Sequence, residues 1–366
     1  MSSPKHILAK QKKTRIQLDY HHRICLKYSS FLSCPVSLGA KFSGEKRYRI
    51  ASFLPSSTEI LYEVGAGHQI TGVTHECNYP DDARSKPRVI NSAFDPANMT
   101  SREIDNAIVG LMKTGGDIYT VDEKELKESR PDLIIAQGVC EVCAPFTKEI
   151  DRAKSVLGYD PDVLVLDPHD LDDILTSIMD VAKRVGRLDE GTKVIESLLN
   201  RINDIKRRVG ERRTKSNDFA NTKKRDDPNI ICIEWIDPFF SAGHWIPQMV
   251  DIAGGHNGLS IRGQPSRRIS LEQIVEFNPD KIILMPCGFD VDRTLKEAKL
   301  LDNLSKWNSL EAVQRNEVYA VNANAYFSKP GPRIVTGLSI LAKIIDPVSF
   351  ANVNLPPNSF TQVIYS

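Results

Sequence analysis

Between residues 170 and 213 apolar side chains recur at helical spacing. Leu171, Ile174, Leu175, Ile178, Met179, Val181, Ala182 and Val185 form one series. After Gly186 and Gly191 it resumes with Val194, Ile195, Leu198, Leu199, Ile202, Ile205 and Val209. Recurrence at i, i+3, i+4 and i+7 marks a helix with one buried face, and Asp170 offers an acceptor to its first turn. At about 1.5 Å per residue the stretch crosses the width of a domain. It predicts a helical spine over 169–214.

Short apolar runs alternate with helical stretches on both sides of that spine. Before it, 48–54 and 70–73 predict strands, 58–64, 100–114 and 122–129 predict helices, and 133–136 and 163–166 predict further strands. After a charged, apolar-poor stretch at 211–228, 230–235 predicts a strand, 246–252 and 271–277 helices, and 282–284 a strand. Residues 125–135 and 271–283 follow one plan: a helix, then Pro131-Asp132 or Pro279-Asp280, then an apolar strand leading to a cysteine-bearing loop. Strands alternating with helices imply mainly parallel sheets covered on both faces. The expected fold is therefore α/β, with two lobes of mainly parallel sheet joined by a long helical spine and a ligand cleft between them. The expected boundaries are a basic, disordered tail at 1–46, an N-terminal lobe at 47–168, the connecting helix at 169–214, a linker at 215–228, a C-terminal lobe at 229–346 and a C-terminal tail at 347–366.

A chain of 366 residues exceeds the roughly 250–300 at which single cores usually split. No run approaches the ~18 apolar residues of a membrane span. Residues 1–49 carry 11 Lys/Arg against 2 Asp/Glu, which leaves the remainder acidic. The basic charge thus belongs to a tail, and the body is not built for nucleic acid. A monomer is expected. Seven cysteines with one tight pair, Cys140 and Cys143, make no disulfide framework. Residues 28–34 are too short and too polar for a secretory signal. That favours the cytoplasm.

Ligands of parallel sheets sit outside the carboxyl ends of the strands, so the loops after the strands matter most. They carry Ser56, Ser57, His75, Cys77, Tyr79, Gln137, Cys140, Cys143, Asp237, Phe239, His244, Trp245, Cys287, Phe289, Tyr326 and Phe327. Aromatic walls with a few polar groups suit a large planar or apolar ligand. Several of these rings are equally suited to capping the sheets. No Gly-x-Ser-x-Gly elbow, phosphate-binding Gly-x-x-x-x-Gly-Lys or His-Glu-x-x-His occurs, which lowers the expectation of an enzyme.

Several stretches resemble the class III solute-binding proteins of ABC importers, of the cobalamin and iron-siderophore type. In the first half they are Ala51-Ser52-Phe53-Leu54-Pro55-Ser56-Ser57-Thr58-Glu59, Gly72-Val73-Thr74-His75-Glu76-Cys77-Asn78-Tyr79-Pro80 and Arg130-Pro131-Asp132-Leu133-Ile134-Ile135. In the second half they are 238–255, Ile269-Ser270-Leu271-Glu272-Gln273-Ile274 and Gly331-Pro332-Arg333. The resemblance covers 47–346 and is strongest to the cobalamin-binding branch. It implies a corrinoid (cobalamin) or similar metal chelate held as ligand, with no catalytic cofactor. The implied contacts are Ser56, Ser57, His75, Tyr79, Gln137, Phe239, His244, Trp245, Phe289, Tyr326 and Phe327. It also implies a membrane subunit as partner, met by surface acids at Glu272 and at Glu123 or Glu125, and an extracytoplasmic location. The family's usual signal peptide and lipid anchor are not recognisable, and 263–267 carries no tryptophan where cobalamin binders use tryptophans.

Two alternatives remain at this point. His75, Cys77, Cys140 and Cys143 offer four nitrogen and sulfur ligands, the number a closed zinc site uses; small buried cysteines without a ligand are the plainer alternative. A cytosolic cobalamin-handling protein with reactive thiols is the other.

Overall fold

The computed structural model describes residues 47–138, 147–218 and 227–365. Strands β1 (Ile50–Ser52), β2 (Ile70–Thr74), β3 (Arg88–Ser92), β4 (Tyr119–Val121), β5 (Leu133–Gln137) and β6 (Asp162–Leu166) form one sheet in the order β4-β3-β2-β1-β5-β6. All its pairs are parallel except β3 with β4. Strands β7 (Ile230–Trp235), β8 (Phe240–Ser241), β9 (Arg267–Arg268), β10 (Lys281–Leu284), β11 (Val318–Val321) and β12 (Phe360–Gln362) form the second, ordered β12-β11-β10-β7-β8-β9. There β7, β10 and β11 run parallel, and the outer strands are antiparallel. The expected two-lobed α/β fold is present.

Helices α1 (Pro55–Glu63), α2 (Ser101–Thr114), α3 (Glu123–Ser129) and α4 (Thr147–Leu157) belong to the first lobe. Pro55 starts α1 at a position whose amide has no helical partner in any case. Thr100 caps α2 with a reciprocal bond to Glu103. Helices α5 (Leu171–Arg184) and α6 (Leu188–Asp218) follow. The second lobe adds α7 (Ile246–Ile252), α8 (Leu271–Phe277), α9 (Val291–Ala298), three one-turn helices at Ser305–Asn308, Glu311–Gln314 and Ala323–Tyr326, and α10 (Ile334–Ile345).

The repeated Pro-Asp has a structural cause. Helices α3 and α8 both end on a left-handed residue, Arg130 at φ 41° and Asn278 at φ 46°. The aspartate two residues later then clamps the neighbouring strand. Asp132 donates its amide to Arg49 O at 2.9 Å, and its Oδ1 accepts from Arg49 N at 2.9 Å. Asp280 repeats this on Asn229, at 2.8 Å in both directions. Each clamp fixes the register of the central strand pair, β1 with β5 and β7 with β10.

The spine is two helices. Gly186 turns the chain at φ 71° between α5 and α6, and a side chain at Gly191 would come within 2.4 Å of Ala182 Cβ, so the helices pack tightly on each other. With 31 residues, α6 is about 46 Å long. Helix α5 lies against α1, and α6 against α1, α7 and α10. As a result one apolar cluster runs from Ile50, Leu54 and Ile60 through Ile178 and Ile202 to Ile230, Met249 and Leu338. The other face of each sheet has its own cluster.

Residues 347–365 of the expected tail pack onto the second lobe. Phe350 and Val363 are buried, and β12 completes the second sheet against β11. The apolar run there is too short to reveal a strand from its own sequence. The basic segment 1–46 and residues 219–226 of the expected linker lie outside the described residues. Among the described residues no helix is long and apolar enough to cross a membrane.

Two glycines of α6 test the seam. Gly210 faces open space, so Gly210→Ala should stabilise by about 0.4–1 kcal/mol through helix propensity and reduced unfolded-state freedom. Gly191→Ala meets the Ala182 methyl, and overpacking of about 1–3 kcal/mol should outweigh the same gain. Urea unfolding midpoints should therefore move in opposite directions. Shifts of the same sign would contradict the packed seam.

Candidate ligand-binding site

In the first sheet, β2 lies on one side of β1 and β5 on the other. Loops leaving β1 and β5 diverge there, which opens a crevice at their carboxyl ends. Pro55 and Ser56 leave β1, and Gln137 ends β5. From the second lobe, Cys287 and Gly288 follow β10, and Ser328, Lys329 and Pro330 precede α10. These residues, with Glu76, enclose a cavity of about 30 Å³, room for about one water.

Beside the cavity a buried ion pair joins the lobes. Glu59 of α1 is 2% exposed, and Arg333, at the start of α10, holds it through two bonds, Nε to Oε2 at 3.0 Å and Nη2 to Oε1. The guanidinium also lies 4.0 Å from the ring centre of Tyr79 and 5.8 Å from that of Tyr326. A buried carboxylate needs such a partner to remain ionised. Gly331 brings the backbone close to both Glu59 and Ser56.

A second, more polar set of bonds latches the lobes. Ser101 Oγ donates to Glu297 Oε2 at 2.6 Å, and Trp235 Nε1 donates to Ser101 O at 3.1 Å. Arg293 donates to the carbonyls of Pro96 at 2.7 Å and Met99 at 3.0 Å. Arg102 meets Asp237 through both carboxylate oxygens, at 2.7 and 2.8 Å.

The expected contact residues divide into two groups. Ser56 and Gln137 line the cavity. Tyr79 and Tyr326 flank Arg333, with Tyr79 40% exposed. His75 and His244 are partly buried, and the Nδ1 of each has no hydrogen-bond partner. The rest face inward. Ser57 Oγ donates to Leu54 O at 3.0 Å and contacts Ser52 Oγ at 2.5 Å. Phe239 stacks on Trp307 within the second lobe's own core. Trp245 is 6% exposed and donates to Phe327 O at 3.0 Å. Phe289 and Phe327 are also buried, Phe289 between Trp235 and the guanidinium of Arg293. Ser57, Trp245, Phe289 and Phe327 are buried in these contacts, whereas Phe239 is half-buried against Trp307. Residue-type reasoning missed Glu59, Lys329, Arg333 and the latch. Gly331-Pro332-Arg333, noted only for its resemblance, was the available signal.

Half of the expected four-ligand metal set, His75 and Cys77, falls among the described residues. Cys77 is 1% exposed within the main core, and its thiol contacts Thr58 Oγ1 at 3.1 Å and Thr74 Oγ1 at 3.4 Å. Burial pushes the thiol pKa up, away from the thiolate that binds metal. Cys140 and Cys143 lie outside the described residues. Among the described residues no group of three or more His, Cys, Asp or Glu side chains is placed to hold a metal.

This two-lobed frame and cleft match a known family. Residues 50–325 match the family model described as periplasmic binding protein, and the chain belongs to that family of solute-binding proteins. An uncharacterized ABC transporter substrate-binding lipoprotein, YvrC, of Bacillus subtilis is 23% identical over 307 residues, 82% of this chain and 81% of that one. A vitamin B12-binding protein of Vibrio cholerae is 24% identical over 306 residues, 83% of this chain and 90% of that one. Among solved structures, a periplasmic heme-binding protein from Pseudomonas aeruginosa superposes with a TM-score of 0.64 at 14% identity, covering 87% of this chain and 99% of that one. The periplasmic vitamin B12 binding protein BtuF of Vibrio cholerae gives 0.56 at 20%, covering 84% and 99%.

The buried pair and the histidines each give a test. Arg333→Met strands the Glu59 carboxylate and should cost about 3–5 kcal/mol, whereas Glu59→Leu with Arg333→Met should recover most of the loss. Urea unfolding of the three proteins measures this; a double variant no more stable than Arg333→Met contradicts it. Burial, then the charge of His169, lowers the pKa of His244, while Asp167 opposes the shift. His75 is also lowered, chiefly by burial. A lowered folded pKa means that the unfolded state binds more protons, so stability is full above about pH 6.5 and falls as pH drops below it. His244→Asn, which tolerates the left-handed backbone at φ 51°, should make that loss shallower. Coincident pH–stability curves for variant and wild type would contradict the assignment.

Proposed function

We propose that the protein captures a corrinoid, cobalamin or a similar metal chelate, in the cleft between its lobes and delivers it to an ABC importer. It acts as a binding protein rather than an enzyme. The observation that carries the reading is the match, along most of both chains, to a relative named as a vitamin B12-binding protein. The cleft supports it chemically. Tyr79 and Tyr326 supply ring faces, Ser56 and Gln137 supply polar contacts, and neutral His75 and His244 are candidates for an axial contact to the chelated metal. A cavity of about 30 Å³ is far smaller than a corrin ring, so loading requires the polar latch to part. Within it the exposed Arg102–Asp237 pair exchanges with water at little cost, while the buried Ser101–Glu297 bond has to be replaced as the lobes part. The family and the lipoprotein relative favour an extracytoplasmic site of action. The cytosolic handling and zinc readings drew on Cys77, which is buried among threonines, and on Cys140 and Cys143. A haem chelate is the second reading, favoured by the partly exposed Tyr79 ring against Arg333.

Docking to the membrane subunit is assigned to the repeat-related acids. Glu272 is exposed in the first turn of α8, and Lys306 holds its pKa down to about 2. Glu123 and Glu125 occupy the first turn of α3, where Glu123 pairs with Arg152 and Lys127. Charges at the rim of an interface set orientation and encounter rate more than affinity.

Calorimetric titration of cobalamin should give near one-to-one binding and protect against thermal unfolding. Absence of both effects at saturating cobalamin would remove corrinoids, and a haem absorbance band on adding haemin would then select the second reading. Reversing Glu272 and Glu125 to lysine should weaken association with the membrane subunit in a salt-dependent way while leaving ligand binding intact. Unchanged association at low salt would remove these acids from the interface.

A further inference from the structure

We infer that the floor of the cleft is a built anion subsite, so that among corrinoids and similar chelates the site prefers one with a peripheral carboxylate, a corrinoid acid or a haem, over the all-amide cobalamin. The inference rests on the chelate-binding reading and specifies its ligand further. Ser56 is 1% exposed, lines the cavity, and its Oγ has no hydrogen-bond partner. A buried hydroxyl without a partner costs free energy unless something supplies one. Lys329 is 8% exposed and lines the same cavity. Its Nζ donates to the backbone carbonyl of Glu76 at 3.2 Å. That is one of three available donors, and among the described residues Lys329 has no ion-pair partner. The charge of Lys329 reaches its surroundings, lowering the pKa of His75 and opposing the rise at Cys77. Ser56 also lies in the first turn of α1, a nine-residue helix without a side-chain cap at its N-terminus. The unpaired amides of such a turn favour a negative group. Gln137, 6% exposed at the end of β5, presents an amide to the same space.

Glu76 is the one acid lining the cavity among the described residues. Lys329 binds its carbonyl, and no ion pair of Glu76 occurs among the described residues, so the ammonium is not consumed by that carboxylate. A cavity of about 30 Å³ is the scale of one small polar group rather than of a macrocycle. A carboxylate hanging from the rim of a corrin or porphyrin would seat there while the ring lies in the parted cleft above.

Two matched ligand pairs test this by calorimetry. One is cobalamin against its monocarboxylic acid, in which one peripheral propionamide is hydrolysed; the other is haemin dimethyl ester against haemin. The acid of the bound pair should bind wild type roughly tenfold more tightly than its neutral congener, the scale of one charge-assisted hydrogen bond. Lys329→Met should bring the ratio to about one. Ser56→Ala, which removes a single unpartnered oxygen and should fold normally, should lower the ratio without abolishing binding. Equal affinities within a pair, or a ratio that Lys329→Met leaves intact, would overturn the inference while the chelate reading stands. Binding of none of the four would overturn the chelate reading instead. A third arm then reads the subsite alone: sulfate replacing chloride at equal ionic strength should raise the Tm of wild type more than that of Lys329→Met and Ser56→Ala. Equal shifts in all three proteins would overturn the subsite.

Discussion

The arrangement of the lobes depends on one buried charge. Glu59 sits buried in the middle of α1, and the guanidinium of Arg333, from the other lobe, meets its carboxylate through two bonds. The partners are 274 residues apart, so the pair forms only when the two lobes are correctly placed. The apolar cluster that continues from β1 through α5 and α6 to α10 acts in the same direction, since buried side chains of both lobes pack on the spine. The geometry of the cleft is thus a property of the packed fold on that side. In the latch the Arg102–Asp237 pair is exposed and contributes little net stability, whereas Ser101 and Glu297 are buried where they bond.

The cleft itself follows from duplication of one device. Each lobe has a helix ending on a left-handed residue, an aspartate that clamps the adjacent strand, and a parallel strand pair whose carboxyl ends carry loops. The first lobe delivers Ser56 and Gln137 to the cavity, and the second delivers Cys287, Gly288 and Lys329. Strand direction decides which loops face the cleft, and side-chain chemistry decides what they hold.

The elements with strong local patterning were legible in the sequence. The paired Pro-Asp stretches, the apolar strands 133–136 and 282–284 and the periodic helices 171–184 and 188–218 all stand close to where their periodicity puts them. Strands β3 and β12 were not legible, because their pairing partners rather than their own composition stabilise them. The aromatic residues misled for a related reason. Trp245 and Phe327 carry the same residue types as a ligand wall, but the indole of Trp245 is satisfied by the carbonyl of Phe327, and no local pattern reports a contact 82 residues away. Lys329 and Glu59 look like ordinary charges until the fold buries them.

The central claim is that ligand enters between the facing strand ends, where Ser56, Gln137, Cys287 and Lys329 converge. Hydrogen–deuterium exchange with and without cobalamin tests this most directly, since exchange reports local opening segment by segment. New protection is expected in the loops 53–57, 285–289 and 327–333 and in the latch segment 96–102, with α3, α8 and the outer faces of both sheets unchanged. Protection centred elsewhere, or none under saturating ligand, would contradict it.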